Sequence, residues 1–187
     1  MQLRLVLAIP FFLAAPLAAA QWPAACGADA QQFKVKAEKQ PLEAAGDPAK
    51  SRIVFIETLE GMGGGPVVRL GIDGSWVSAV KGPSYTVVEV QPGTHMLCGS
   101  RQSSARTEKE NRGVVKLETE AGKTYFYNFK LVRSEIGSPE MAAGGIPGSS
   151  MTSKQREQID TVEFRPLEQD AGLRLVKKLP RSSVAQK

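Results

Sequence analysis

Two cysteines, one histidine and a scatter of carboxylates are the residues of this 187-residue chain with the chemistry to make or break bonds. Cys26 and Cys98 stand 72 positions apart and are not in a C-x-x-C arrangement. A redox or metal pair would want that closer spacing or more imidazoles, and His95 is the one histidine in the chain. In an oxidising compartment such a pair reads as a structural disulfide closing a long loop. His95 follows Pro92-Gly93 into an apolar run. A catalytic triad would need a nucleophile and an acid brought to it, so the plainer expectation is a strand-edge residue bonding a nearby backbone carbonyl. The glycines from Gly61 to Gly65 are followed by a strand-like run and lack the Gly-Lys-Ser/Thr ending of a phosphate cradle, which opens a helix. Asp73, Glu89, Glu118, Glu120 and Glu163 are the candidates for paired acid chemistry. Asp73 is explained by a turn, and the other four fall at positions that read as solvated strand faces. Trp76, Tyr85 and the Tyr125–Phe129 group read as core aromatics, with a ligand-lined groove as the alternative. No catalytic residue, metal or cofactor is expected.

The N-terminus says where any such chemistry would take place. Arg4 precedes an apolar run, Leu5 to Leu17, interrupted by Pro10 and Pro16, and Ala18-Ala19-Ala20 supply small side chains after it. That order is a secretory signal, with cleavage expected after Ala20. The run is short of the ~20 residues of a membrane-spanning helix, the rival reading being a retained anchor. Trp22 and Pro23 separate Cys26 from the apolar run and argue against lipid anchoring there. The chain has 24 basic and 19 acidic residues, so losing Arg4 with the signal leaves a net charge of +4. The charges are interleaved rather than gathered into a stripe, which argues against nucleic acid as a partner.

The elements that must position these residues are mostly strands. Ile53-Val54-Phe55-Ile56 is continuously apolar, as in a strand covered on both faces. Val67–Ile72 and Trp76–Val80 flank Asp73-Gly74, the strongest short hairpin signal. Tyr85–Val90 alternates, Pro92-Gly93 suits a type II turn, and Thr94–Cys98 follows. Val115, Leu117 and Thr119 share one face, as do Tyr125, Tyr127, Phe129 and Leu131. Thr161–Leu167 reads as the last strand, and the leucines of Ala171–Leu179 recur at helical spacing before Pro180. Phe33–Lys36 alternates briefly, whereas Glu38–Lys50, 99–112 and 134–153 read as loops. The fold class expected is mainly β, an antiparallel β-sandwich or barrel-like domain of seven to eight strands with a short C-terminal helix. Its bounds are 51–179, after a signal at 1–20 and an extension and linker at 21–50, and before a disordered tail at 180–187.

The run from Val68 to Ala79 with Asp73-Gly74 at its centre, then Lys81-Gly82-Pro83-Ser84-Tyr85, then Glu89 to Cys98 with Pro92-Gly93-Thr94-His95, resembles the DUF2846 family of exported bacterial β domains, and more distantly PEGA-type surface modules. Glu120–Tyr127, Thr161–Leu167 and Asp170-Ala171-Gly172 extend the resemblance over roughly residues 50–179, with Ser78 standing where the pattern has glycine. The resemblance implies the fold and carries no assigned activity. The functional expectation is an exported, non-enzymatic envelope module for a protein or polymer partner. Recognition would fall to three loops, represented by Gly63 and Gly64, by Arg106 and Lys109, and by Gly144 and Gly145. A carboxylate-dependent hydrolase or carbohydrate-active enzyme is one alternative, and a small lipid or envelope-polymer carrier another. No stable membrane span is expected after signal cleavage.

Overall fold

The computed structural model describes residues 26–27, 31–43, 46–58, 65–102, 112–136 and 157–186. Among them are ten strands and one helix. In chain order they are β1 (Phe33–Glu38), β2 (Ser51–Glu57), β3 (Val67–Ile72), β4 (Ser75–Lys81), β5 (Ser84–Val90), β6 (Gly93–Arg101), β7 (Arg112–Thr119), β8 (Thr124–Ile136), β9 (Glu157–Leu167), α1 (Gln169–Val176) and β10 (Arg181–Gln186). They form a six-stranded sheet, β1-β10-β5-β2-β8-β9, and a four-stranded sheet, β4-β3-β6-β7. The chain is therefore mainly β, a two-sheet sandwich with a short C-terminal helix.

The apolar run of β2 lies at the centre of the larger sheet because it is apolar on both faces. Ile53 and Phe55 enter the core between the sheets with Leu70, Leu97 and Phe129. Val54 and Ile56 face the other way, into a second core with Tyr85, Phe126 and Val176. Helix α1 covers that outer face, and Gly172 lets it come close: a Cβ there would lie 2.2 Å from the Phe126 ring. The core between the sheets is closed along one edge by another glycine pair. Gly99 of β6 and Gly113 of β7 are register partners, and a Cβ on Gly113 would sit 1.7 Å from the Val162 carbonyl oxygen of β9. Along the other edge Ser78 of β4 and Thr86 of β5 share a hydroxyl hydrogen bond of 2.8 Å.

The turns behave largely as their residues require. Asp73 and Gly74 both take positive φ, 51° and 84°, as a two-residue hairpin loop needs. Gly93 takes φ 144°, so the Pro92-Gly93 segment departs from the type II geometry expected of it and leads directly into β6. A bulge between Leu70 and Gly71 leaves Val77 unopposed, which puts Trp76 on the outer face of the smaller sheet. There its ring receives the Arg69 guanidinium at 4.5 Å.

Four expectations need correction. Ten strands stand among the described residues, against the seven to eight expected. The larger sheet is mixed: β2 pairs parallel with β8, and β10 with β5. β8 is parallel to β2 because the chain comes back from the smaller sheet on the side of β2 opposite β5 and enters β8 at the end where β2 begins, Thr124 opposite Arg52. Residues 181–186, expected as a disordered tail, form β10, and residues 33–38 of the presumed extension form β1. These two pair antiparallel over six residues, Phe33↔Gln186 to Glu38↔Arg181, and buried Ser182 hydrogen-bonds Ser84 at 2.8 Å. The loop expected over 99–112 is shorter, since β6 runs on to Arg101 and β7 starts at Arg112.

Candidate functional site

Cys26 and Cys98 form a disulfide, Cα to Cα 5.4 Å. It anchors the start of the described chain to the outer face of β6. Cys26, Phe33, Trp76, Ala79 and Cys98 make a third apolar cluster there, and Trp76 packs directly on Gly27. Both sulfurs are therefore structural, and neither is a free thiol.

His95 lies at the start of β6. Its Nδ1 is 2.6 Å from Asp73 Oδ2 and its Nε2 is 2.7 Å from the Gln91 carbonyl. Both neighbours only accept, so the ring satisfies both only when each nitrogen carries a hydrogen, as the imidazolium. Burial works against that charge, but the Asp73 hydrogen bond, the Gln91 carbonyl and the Asp73 charge together outweigh it and raise the pKa above 6.5. The carbonyl bond agrees with the sequence reading, and Asp73 adds a partner the sequence did not indicate. Asp73 also accepts from the Met96 N–H at 2.8 Å. A ring held by both nitrogens has no lone pair to offer as a base.

The other carboxylates considered for acid chemistry each face a cation at the surface. Glu89 meets Lys50 at 3.7 Å, Glu118 meets Lys116 at 3.2 Å and Glu120 meets Lys123 at 2.7 Å. Glu163 lies 3.7 Å from Lys130 and 3.0 Å from Arg165. Trp76, Tyr85, Phe126, Tyr127 and Phe129 are buried, as core aromatics should be. No group of three or more His, Cys, Asp or Glu suited to a metal is found among the described residues.

Gly63, Gly64, Arg106, Lys109, Gly144 and Gly145 lie outside the described residues, but the points where their loops leave and rejoin the sheets do not. The register of the strands puts those points at one end of the sandwich, the β8–β9 pair reaching beyond the other two. Glu57, at the end of β2, is opposite Ser84 on one side and Phe129 on the other. Ser84 follows the turn from Lys81, and Lys81 is opposite Val67 at the start of β3. Val68 in turn is opposite Arg101, and the Gln102 N–H donates to the Val67 carbonyl at 2.7 Å. Residues 59–64, 103–111 and 137–156 thus all spring from one end of the sandwich. The β8–β9 pair continues past Phe129 to Ile136↔Glu157. Seven residues at ~3.3 Å each carry it roughly 23 Å beyond the level of Glu57.

Glu57 is the residue of this end that the sequence reading passed over. It is 3% exposed, on the same side of β2 as Ile53 and Phe55. Desolvation pushes its carboxyl pKa up to about 8, against a lowering hydrogen bond from the Gly82 amide. Its Oε2 has no hydrogen-bond partner among the described residues. The available signal was its place directly after the doubly covered run Ile53–Ile56, where the next side chain of the strand points inward by alternation.

On the outer face of the larger sheet an open groove of about 740 Å³ runs between residues 39–43 and the C-terminal turn of α1. Leu42, Phe126, Leu173, Val176 and Leu179 supply its apolar surface, and Lys39, Arg52, Lys177 and Lys178 its cations. The wall at 39–43 is fixed in place: the Tyr85 hydroxyl donates to the Gln40 carbonyl at 2.7 Å, and Arg52 Nη1 donates to the Glu43 carbonyl at 2.8 Å. No family model, curated protein or solved structure matches this chain. No helix among the described residues is long and apolar enough to cross a membrane.

Proposed function

We propose that this chain is an exported, non-enzymatic module of the cell envelope that binds an envelope protein or polymer through the loops at the Glu57 end of its sandwich. The observation that carries this reading is that the described flanks of three segments, 59–64, 103–111 and 137–156, all lie towards one end of a two-sheet scaffold, the flanks of the last beyond the other two. Loops held by a rigid scaffold are the usual place for recognition. Export is supported by the N-terminal pattern Arg4, Leu5–Leu17, Ala18–Ala20 and by the use of both cysteines in one disulfide, the form that persists in oxidising compartments. A sulfur so bonded is not available for a lipid thioether. The resemblance to DUF2846 domains fits an accessory β module.

The test is an affinity capture from periplasmic extract after brief cross-linking. It compares the tagged chain with a variant in which 103–111 and 137–156 are each replaced by a short Gly-Ser turn. A partner enriched by the first and lost from the second, with the thermal transition unchanged, is the expected result. Equal enrichment by both would overturn the proposal.

A further inference from the structure

The groove beside α1 lies on a different part of the molecule from the loop end, and its chemistry is different. Its floor is apolar and its rim basic. Lys39, Arg52, Lys177 and Lys178 line it against one carboxylate, Glu43. Elsewhere on the surface Lys50, Lys116, Lys123 and Lys130 each face an acid within 4 Å, and among the described residues Lys34 and Lys36 of β1 and Lys81 of β4 do not, so it is their gathering on one apolar surface that sets the groove cations apart. The four groove cations form no ion pair among the described residues. Arg52 is half-buried, and its two hydrogen-bond partners, the Glu43 carbonyl and Thr124 Oγ1, are both neutral. A cation near the end of a helix can be explained by the helix dipole, and that accounts for Lys177 and Lys178. It does not account for Lys39 on the linker or Arg52 on β2. Four cations from three separate elements therefore converge on one apolar trough. Its wall is already fixed by the Tyr85 and Arg52 hydrogen bonds, so little ordering is needed on binding. The volume lies within the range of roughly 300–1,000 Å³ typical of small-molecule sites.

We infer that this groove takes a single-chain anionic amphiphile, with its hydrocarbon against Leu42, Phe126, Leu173 and Leu179 and its acid group among Lys39, Arg52, Lys177 and Lys178. Burial of the chain supplies the driving force, since each methylene removed from water is favourable. The unpaired cations supply the choice of headgroup. An amphiphile with a cationic head meets the same apolar floor but a repulsive rim.

The probe is laurate below its micelle concentration, titrated calorimetrically into the full chain. Dodecyltrimethylammonium provides the same hydrocarbon with the opposite charge, and acetate the headgroup alone. Saturable one-to-one binding of laurate is expected, with at least tenfold weaker binding of the cation and none of acetate. The double variant Lys177→Glu, Lys178→Glu changes two exposed side chains and is expected to weaken laurate at least tenfold while leaving the thermal transition in place. Amide NMR shifts on adding laurate should be confined to the groove. The variant with shortened loops should bind laurate unchanged, which separates this site from the loop end. Equal affinity for both amphiphiles, no effect of charge reversal, no saturable binding, or binding only to anionic vesicles would each overturn the inference.

Discussion

The two ends of this sandwich are built on different terms. At one end the chain reverses through short turns, Asp73-Gly74, Gln91–Gly93 and Glu120–Lys123, and the polar groups there find partners. His95 bridges Asp73 and the Gln91 carbonyl, and the Thr119 hydroxyl accepts the Gly93 N–H at 3.2 Å. At the other end the chain passes into residues 59–64, 103–111 and 137–156, and the Glu57 carboxyl group is buried there with one oxygen unpartnered among the described residues. Hydrogen-bonded turns fix the register of strands. An end that keeps a buried acid and long connections is not arranged for stability alone. The difference teaches that register and packing are set from the turn end and the core, leaving the loop end free to vary its connections.

The sharpest way to break this comparison is to add the same methyl group at each end. Gly113→Ala at the loop end drives its Cβ into the Val162 carbonyl, a backbone atom with no rotamer to escape to. A loss of about 4 kcal/mol or outright failure to fold is expected. Gly93→Ala at the turn end meets nothing within 4 Å and carries only the strain of φ 144°, so about 1–3 kcal/mol is expected. Urea denaturation of both variants checks the ranking.

The next effect is one of pH. Glu57 holds its proton to about pH 8 in the folded chain, whereas an unfolded glutamic acid releases it near 4.5. Between those values the native state binds more protons, so stability is full below pH 4.5 and falls as the pH rises towards 8. The fall is on the order of 4 kcal/mol. Glu57→Gln should remove most of this slope, being close to neutral at pH 4 and stabilising at pH 8. Denaturation series across that range measure it, and a slope unchanged in Glu57→Gln would move the titrating group elsewhere.

The smallest effect belongs to the turn end. The raised pKa of His95 means that its pairing with Asp73 contributes stability below the unfolded value of 6.5, and that this is lost as the pH rises through the folded value. Asp73 is half exposed, so about 1 kcal/mol is expected. NMR titration should give a His95 pKa above 6.5 in the native chain, and a clear drop in Asp73→Asn, where burial is no longer outweighed.

Much of the fold was legible in the chain. The doubly apolar run Ile53–Ile56, the Asp73-Gly74 turn and the aromatic alternation of Tyr125–Leu131 are local signals, and local signals locate strands. The pairing of β1 with β10 was not legible. It joins Phe33 to Gln186 across nearly the whole chain, and no periodicity in either segment names its partner. The parallel pairing of β2 with β8 was hidden for the same reason. The disulfide was legible because two cysteines leave one possible pairing. Of the candidate site, the three segments read as loops from a glycine-rich or a polar and charged composition, but their common end follows from register. Glu57 and Arg52 were hidden because a charged side chain on a strand reads as solvated until the layer covering it is known.

The central proposal, that contact with a partner is made at the loop end, is tested most directly by placing photo-reactive p-benzoylphenylalanine at single positions in the chain and irradiating cells that express it. Positions 106 and 145 fall in the segments 103–111 and 137–156, and positions 121 and 123 at a turn at the opposite end. Discrete adducts of one mass from 106 and 145, and none from 121 and 123, are the result this account predicts. Adducts from the turn positions alone, or from all four alike, would contradict it.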